Sequence, residues 1–416
     1  MRPIHVPVGV RGRMRWFVLN ERGESEAVRV TYADGREALS AGGYWNSNLI
    51  TNQGMDAFHA TSWGWVGLGG AATSSVRRYG RIGTGSTAPA FTDTTLDNQV
   101  ACSDTASPFA NDEFSATEDG GDITLHCMRR VTFVMDVSRN LTEYGFGNTK
   151  GGEWVEDTEW DGNPANCSGE VGVLDTSTCM GKVVAGSPEK CWEWNDFNDI
   201  YVRELFRDSG GTPITISVPS GRTLRIDHTY DITLDLSLQT GSFDVDEYNV
   251  SNALVGTTAV DYHARWYVPR TSPGTATENG RDLAVALVLM ARGDSFSGAT
   301  RRILSSTTVN PDISSGTFLG ATPSGYTRNS ALAWTGSAWS RRAYVTSSHE
   351  RVFDITVSAA EGNFAWTGWG PESVDTYDGI GSRTGGFLVA FRNNHTFPKA
   401  DTHTLRWSIK YAWARG

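Results

Sequence analysis

Thr223-Leu224-Arg225-Ile226-Asp227-His228-Thr229-Tyr230-Asp231-Ile232-Thr233-Leu234-Asp235-Leu236 alternates apolar and polar residues without a break. Successive side chains of a strand point to opposite faces, so Leu224, Ile226, His228, Tyr230, Ile232, Leu234 and Leu236 share one face, and that face is core. A helix would scatter them round its axis. His228 lies on the core face and reads as a hydrogen-bonded core histidine, not as a ligand or base.

Upstream, Arg130-Val131-Thr132-Phe133-Val134-Met135-Asp136-Val137 carries β-branched and aromatic residues in near alternation. Met14 to Leu19 and Ala27 to Tyr32 do the same on either side of Asn20-Glu21-Arg22-Gly23-Glu24, which predicts two strands joined by a turn. Downstream, Ala259 to Val268 resumes the strand pattern, residues 269–279 form a loop by composition, and Leu405 to Trp413 makes a closing strand. Gly, Ser and Thr are plentiful, and long Ala/Leu/Glu/Lys runs are absent. The expected fold is mainly β, with two β-sandwich or jelly-roll-like lobes and an N-terminal β-hairpin arm.

The expected divisions are an arm at 1–45, a first lobe at 46–250 and a second at 251–416, with a boundary near 240–256 where Gln239-Thr240-Gly241-Ser242 closes the long strand. An irregular stretch bearing Trp and Cys interrupts the first lobe at 149–197. The second lobe reads as a candidate diverged repeat. Phe206-Arg207 ahead of Pro213 and Thr223-Leu224-Arg225 parallels Phe391-Arg392 ahead of Pro398 and Thr404-Leu405-Arg406. Val131 to Val134 with Glu143 to Gly147 likewise parallels Val352 to Ile355 with Thr367 to Gly370.

With 416 residues the chain can bury roughly three-quarters of its unfolded surface, so a core needs no metal or disulfide. A net charge of −11 argues against nucleic acid as a partner, because duplex affinity comes from Lys and Arg neutralising phosphates. Arg77-Arg78, Arg129-Arg130 and Arg341-Arg342 read as solvated strand ends. Met1 to Pro7 lacks the apolar core of a secretory signal, and the longest apolar run, Leu283 to Met290, is far below the ~20 residues of a spanning helix. The expectation is a soluble chain made in the cytoplasm, without membrane insertion. Cys102, Cys127, Cys167, Cys179 and Cys191 contain no Cys-x-x-Cys pair, so zinc is not expected. Buried free thiols are the simplest reading, with a disulfide formed in an oxidising medium left open for Cys167, Cys179 and Cys191.

Three short motifs follow one another in order: Ile50-Thr51-Asn52-Gln53-Gly54-Met55-Asp56; then Gly83-Thr84-Gly85-Ser86-Thr87-Ala88-Pro89-Ala90 ending in Thr95-Leu96-Asp97-Asn98; then Thr142-Glu143-Tyr144-Gly145. Tyr201-Val202-Arg203-Glu204-Leu205-Phe206-Arg207 and Pro213-Ile214-Thr215-Ile216 continue the series. The series resembles bacteriophage virion proteins, chiefly tail, fibre and adhesion components, over about residues 45–240, with departures mostly at 149–197. The resemblance implies a non-enzymatic structural component of the particle, in the tail or its host-adhesion apparatus, acting through contacts with its own copies and other virion proteins. A capsid decoration or head-fibre protein is the alternative. It implies a virion location after synthesis in the host cytoplasm, and no cofactor.

Two aromatic groups are candidate subunit or receptor contacts. Trp154 and Trp160, with Glu156, Asp157, Glu159 and Asp161, precede Trp192 and Trp194, with Glu193 and Asp196. Trp beside carboxylates can stack on a sugar, anchor an interface or fill a small local core. Host surface glycan is therefore a candidate partner, and a carbohydrate-binding or glycoside-cleaving protein is the rival class. Trp63 and Trp65, and Trp366 and Trp369, sit among glycines and are candidates for contacts completed by a neighbouring chain. Asp244, Asp246, Glu247 and Asn249 could hold Ca²⁺ but lack the EF-hand order, and read as a solvated acidic turn. Arg292-Gly293-Asp294 reads as a strand-ending turn. Gly83-Thr84-Gly85 lacks dinucleotide-site spacing, neither Gly-x-Ser-x-Gly nor His-Glu-x-x-His occurs, and the sequons at Asn140, Asn166, Asn249 and Asn394 are coincidental without a signal peptide.

Overall fold

The computed structural model describes residues 1–57, 79–103, 112–119, 122–177, 179–235, 237–269, 300–306, 317–318, 327–329, 339–359, 365–374, 376–377, 381–382, 387–399 and 401–416. It is mainly β, with 57% strand and 4% helix. Thr223–Asp235 forms the central strand, antiparallel to Ile4–Leu19 on one side and to Asp122–Val134 on the other. Leu224, Ile226, His228, Tyr230 and Ile232 are buried as the alternation requires. His228 is a core histidine, its ring 4.7 Å from those of both Phe146 and Tyr230.

The N-terminal strand begins at Ile4, well before the segment that the hairpin reading used, because Ile4, Val6, Val8 and Val10 continue the inward alternation of Met14, Trp16 and Val18. Val18 and Leu19 turn back onto Ser25 and Glu26 for two rungs only. Asn20 holds that turn, its side-chain oxygen accepting from the backbone N–H groups of Arg22 and Glu24. The chain then leaves for a second sheet, in which Val28–Tyr32 lies between Glu37–Ser40 and Ile214–Val218, the latter also pairing with Arg139–Leu141. Residues 1–45 are thus woven into both sheets and do not stand off as an arm.

Val28, Val30, Leu141, Ile214, Ile216 and Val218 from this smaller sheet share one core with Trp16, Val18, Phe133, Leu224 and Ile226 from the larger. Each such side chain contributes roughly 1.5–3 kcal/mol on leaving water. The far edge of the N-terminal strand is divided: Ile4 to Val10 run parallel to the C-terminal strand Thr404–Arg415, and Gly12 to Met14 pair with Asn46–Ile50. The two ends of the chain therefore lie side by side in one sheet, which spans both expected lobes. The expected boundary at 240–256 is a hairpin instead, Gln239–Tyr248 pairing with Leu254–Pro269 across a turn that Asn249 closes by accepting from Ser251 and Ala253.

The other face of the central strand is also withdrawn from water at two carboxylates, Asp227 fully buried and Asp231 nearly so. Asp227 lies 2.9 Å from Arg15, 2.8 Å from Arg130 and 3.2 Å from Arg225. Asp231 meets Arg13 at 2.5 Å and His126 at 2.8 Å. The Trp45 ring covers the guanidinium groups of Arg13 and Arg15. Arg129 and Arg130 are accordingly not solvated strand ends: they lie within Asp122–Val134, Arg129 in the core and Arg130 on Asp227. Arg342 follows the strand Trp339–Arg341 and pairs with Asp354.

The paired repeat segments differ in local structure. Phe206 to Pro213 is a tight connection in which Arg207 and Pro213 bridge, whereas Phe391 to Pro398 lies inside the single strand Phe387–Pro398. Among the described residues no helix is long and apolar enough to cross a membrane.

Candidate functional site

Three of the ordered motifs meet at one buried point, the Ile50 to Asp56 motif packs beside it, and Pro213 to Ile216 lies on the smaller sheet. Ile50 ends a strand, and Thr51 and Asn52 open the short helix Asn52–Ala57, with the Thr51 hydroxyl accepting from Gly54 N–H and donating to Ile200 carbonyl. A side chain at Gly54 would collide with the carbonyl oxygen of Tyr201. Tyr79–Gly83 and Glu143–Gly147 pair, and Glu143–Gly147 pairs in turn with Ile200–Leu205. From this sheet the fully buried Glu143 carboxylate accepts from the backbone N–H groups of Gly85, Asp97 and Asn98 at 2.9–3.1 Å.

Arg203, also buried, approaches Glu143 at 3.1 Å, Asp93 at 2.6 Å and Asp97 at 2.7 Å. Burial alone would raise the Asp97 carboxyl, but hydrogen bonds from Thr87 and the nearby Arg203 charge hold it below its usual range. The same ion partners hold Arg203 above its ordinary value against the opposing effect of burial. A saturated carboxylate and a saturated guanidinium fasten the loop between Gly83 and Asn98, which is bracing chemistry.

Glu143–Gly147 and Ile200–Leu205 form a hairpin whose loop is residues 149–197. At its neck, Arg81 donates to the Thr149 carbonyl and pairs with Asp199, and Asp199 accepts from Thr149 N–H. The stretch is not irregular. It is a four-stranded sheet, Gly152–Glu156, Lys190–Asp196, Glu170–Asp175 and Lys182–Val184 in spatial order. Nor are its thiols free: Cys167 joins Cys191 within it, and Cys179 joins Cys102 on the neighbouring strand Gln99–Cys102. The free-thiol reading is corrected because folding brings Cα atoms 77 positions apart in sequence to 5.7 Å, within disulfide reach.

Register places Trp154 opposite Trp194 and Glu156 opposite Trp192, so three of the candidate tryptophans share one face of this small sheet. Trp154 and Trp194 pack edge to face at 5.3 Å, and the indole N–H of Trp194 donates to Asp196 at 2.6 Å. Gly152 gives the Trp194 ring its space, since a side chain there would overlap it. The Trp192 indole donates to the Gly172 carbonyl, beside the Lys190–Glu156 ion pair. Trp160 is separate, closing its own turn by donating to Asn163 carbonyl.

Trp154 and Trp194 form one wall of a cleft of about 950 Å³ between the small sheet and the main body. Met180 and Lys182 extend that wall, and Asp97, Gln99, Val134 and Asp136 stand opposite. Val134 is 77% exposed, on the outward side of the alternation that buries Val131 and Phe133. A smaller hollow of about 390 Å³, lined by Tyr79, Asn148 and Phe197, also reaches Trp154.

Trp63 and Trp65 lie outside the described residues, as do Arg77-Arg78, Leu283 to Met290 and Arg292-Gly293-Asp294. Trp366 and Trp369 fall on the strand Ala365–Val374, on either side of a register shift. The acidic set is not a turn. Asp244, Asp246 and Glu247 lie on a strand whose alternation sends Glu247 to the opposite face, and each has its own partner: Arg2, Thr257 and His403. Among the described residues no group of three His, Cys, Asp or Glu is placed to hold a metal ion.

Sequence reading missed the body wall of the cleft, which is assembled from segments far apart in the chain. It missed Arg81 and Arg203 as well, although a lone arginine inside an apolar strand is a legible sign of a buried partner. Compared with protein-family models, curated proteins and solved structures, the chain matches none.

Proposed function

We propose that the chain is a non-enzymatic structural component of a bacteriophage particle, in the tail or its host-adhesion apparatus, where it contacts its own copies and other virion proteins. The observation that supports this reading most is that three of the phage-like segments, the loop from Gly83 to Asn98, the strand bearing Glu143 and the strand bearing Arg203, form one buried network. Glu143 and Arg203 are both engaged in holding a loop, as a load-transmitting component requires. Two disulfides fit a protein that functions outside the cell, after the particle is released into an oxidising medium. Immunogold labelling of purified particles tests the proposal. Labelled tails support it, labelled heads move the protein to the decoration or head-fibre alternative, and unlabelled particles overturn it.

The cleft beside Trp154 and Trp194 favours a second reading, a carbohydrate-binding protein. A reducing-sugar assay on host polysaccharide separates binding from cleavage.

A further inference from the structure

We infer that the cleft between the disulfide-tied sheet and the main body binds an uncharged oligosaccharide. For the origin of that glycan, a bacterial surface, the inference rests on the adhesion reading; its chemistry comes from the cleft.

A volume of about 950 Å³ lies at the upper end of small-ligand sites, room for a short run of sugars and too little for a folded partner. Its lining mixes apolar surface with polar groups, which suits a pyranose ring with an apolar C–H face and a polar rim. Trp154 and Trp194 offer indole surface on one side and the exposed Val134 offers apolar surface on the other. Such surface is a poor match for water and a good one for the C–H face of a sugar.

The polar groups decide against an anionic ligand. Of the ionised groups lining the cleft, Asp97 pairs with Arg203, Asp136 with Arg139, and Lys182 with Asp175, while Asp196 takes a neutral partner. Asp196 accepts from the Trp194 indole. An anion entering here would meet carboxylates that outnumber the cations, and at Asp97 and Asp136 a cation would compete with arginine. Hydroxyl groups fit both, because a carboxylate oxygen with one partner still has acceptor capacity, and a hydroxyl can donate to it without disturbing the ion pair.

The cleft is also held in shape before any ligand arrives. Cys102 and Cys179 both line it, and their disulfide ties the Trp-bearing sheet to the body at the cleft itself. Arg81, Thr149 and Asp199 fix the neck of the same sheet. Pre-organisation of this kind lowers the ordering cost that otherwise weakens sugar binding.

The experiment is calorimetric titration of the full chain with cellohexaose, maltohexaose and chitohexaose, and with an alginate hexamer as the anionic comparison. Binding of at least one neutral hexasaccharide with Kd at or below ~1 mM is expected, with none for alginate. Trp154→Ala and Trp194→Ala should each weaken it about tenfold or more, while Trp160→Ala, in a turn beside that sheet and outside the cleft lining, should leave it unchanged. Should the tryptophan variants not fold, Val134→Lys at its exposed position serves instead, and the same loss is expected as the lysine fills the cleft mouth. No binding to any neutral hexasaccharide, preference for alginate, or binding insensitive to Val134→Lys and Trp194→Ala would each overturn the assignment. Particle labelling is independent of this result: unlabelled virions with intact sugar binding would remove the phage reading and leave the cleft, and the reverse outcome would do the opposite.

Discussion

The carboxylate of Glu143 and the guanidinium of Arg203 lie 3.1 Å apart on adjacent strands, both withdrawn from water, and between them they hold the loop from Gly83 to Asn98. Breaking a buried pair by removing one partner leaves the other charge uncompensated. Glu143→Ala should therefore destabilise the fold by about 3 kcal/mol, the low end for such pairs because Asp93 and Asp97 still reach Arg203. Glu143→Gln keeps an acceptor for the loop amides and should cost less. Urea unfolding of both variants checks the order, and equal midpoints would show that the charge is immaterial.

Stability should fall in two steps on acidification. Burial, with the Arg415 charge adding to it, lowers the His349 pKa, and burial with Lys410 lowers that of His5. Their folded values lie below the unfolded value of ~6.5, so the stability they confer is complete above that pH and is lost as pH falls through the folded values. For Asp231 burial alone would raise the carboxyl, but hydrogen bonds from His126, Arg13 and Thr229 hold it below its usual range. Its contribution is present above the unfolded value of ~3.9 and disappears below it. Thermal midpoints measured from pH 7 to pH 2.5 should show both declines, and Asp231→Asn should flatten the second.

Thiol titration of the denatured, unreduced chain should find one free thiol, Cys127, since two disulfides account for the other four cysteines. On the chain-entropy model the bridge closing 77 residues is worth about 4.5 kcal/mol and the one closing 24 about 3.5 kcal/mol. Replacing Cys102 and Cys179 by Ser should thus lower the melting temperature more than replacing Cys167 and Cys191. Two or more free thiols in peptide mapping would contradict the pairing.

Gly54→Ala should destabilise by about 1–3 kcal/mol despite lying in a helix, where alanine is normally favoured. The added methyl would have to displace either the helix or the backbone of Tyr201. A variant as stable as the parent would show that the helix can shift freely.

The sequence by itself determined the class of the fold and the inward face of its central strand. A period of two is a local property of the chain, and Leu224, Ile226, His228, Tyr230 and Ile232 needed only their own spacing to be read as core. It also marked Trp154, Trp160, Trp192 and Trp194 as one candidate group, but strand pairing put Trp154, Trp192 and Trp194 on one face and left Trp160 in a turn of its own. Tertiary structure decided whatever depends on which distant segments meet. Asp227, on the polar side of an alternating strand, is buried because Arg15 and Arg130 arrive from strands remote in sequence to neutralise it. The N-terminal segment looked like an arm and is central, because its free edge pairs with the last strand of the chain. Cys102 and Cys179 could not be matched by spacing, and the cleft they close takes its two walls from different parts of the fold. Strand periodicity fixes which way a side chain points, but not which strand comes to lie beside it, and burial, ion pairing and disulfide formation all follow from the second choice.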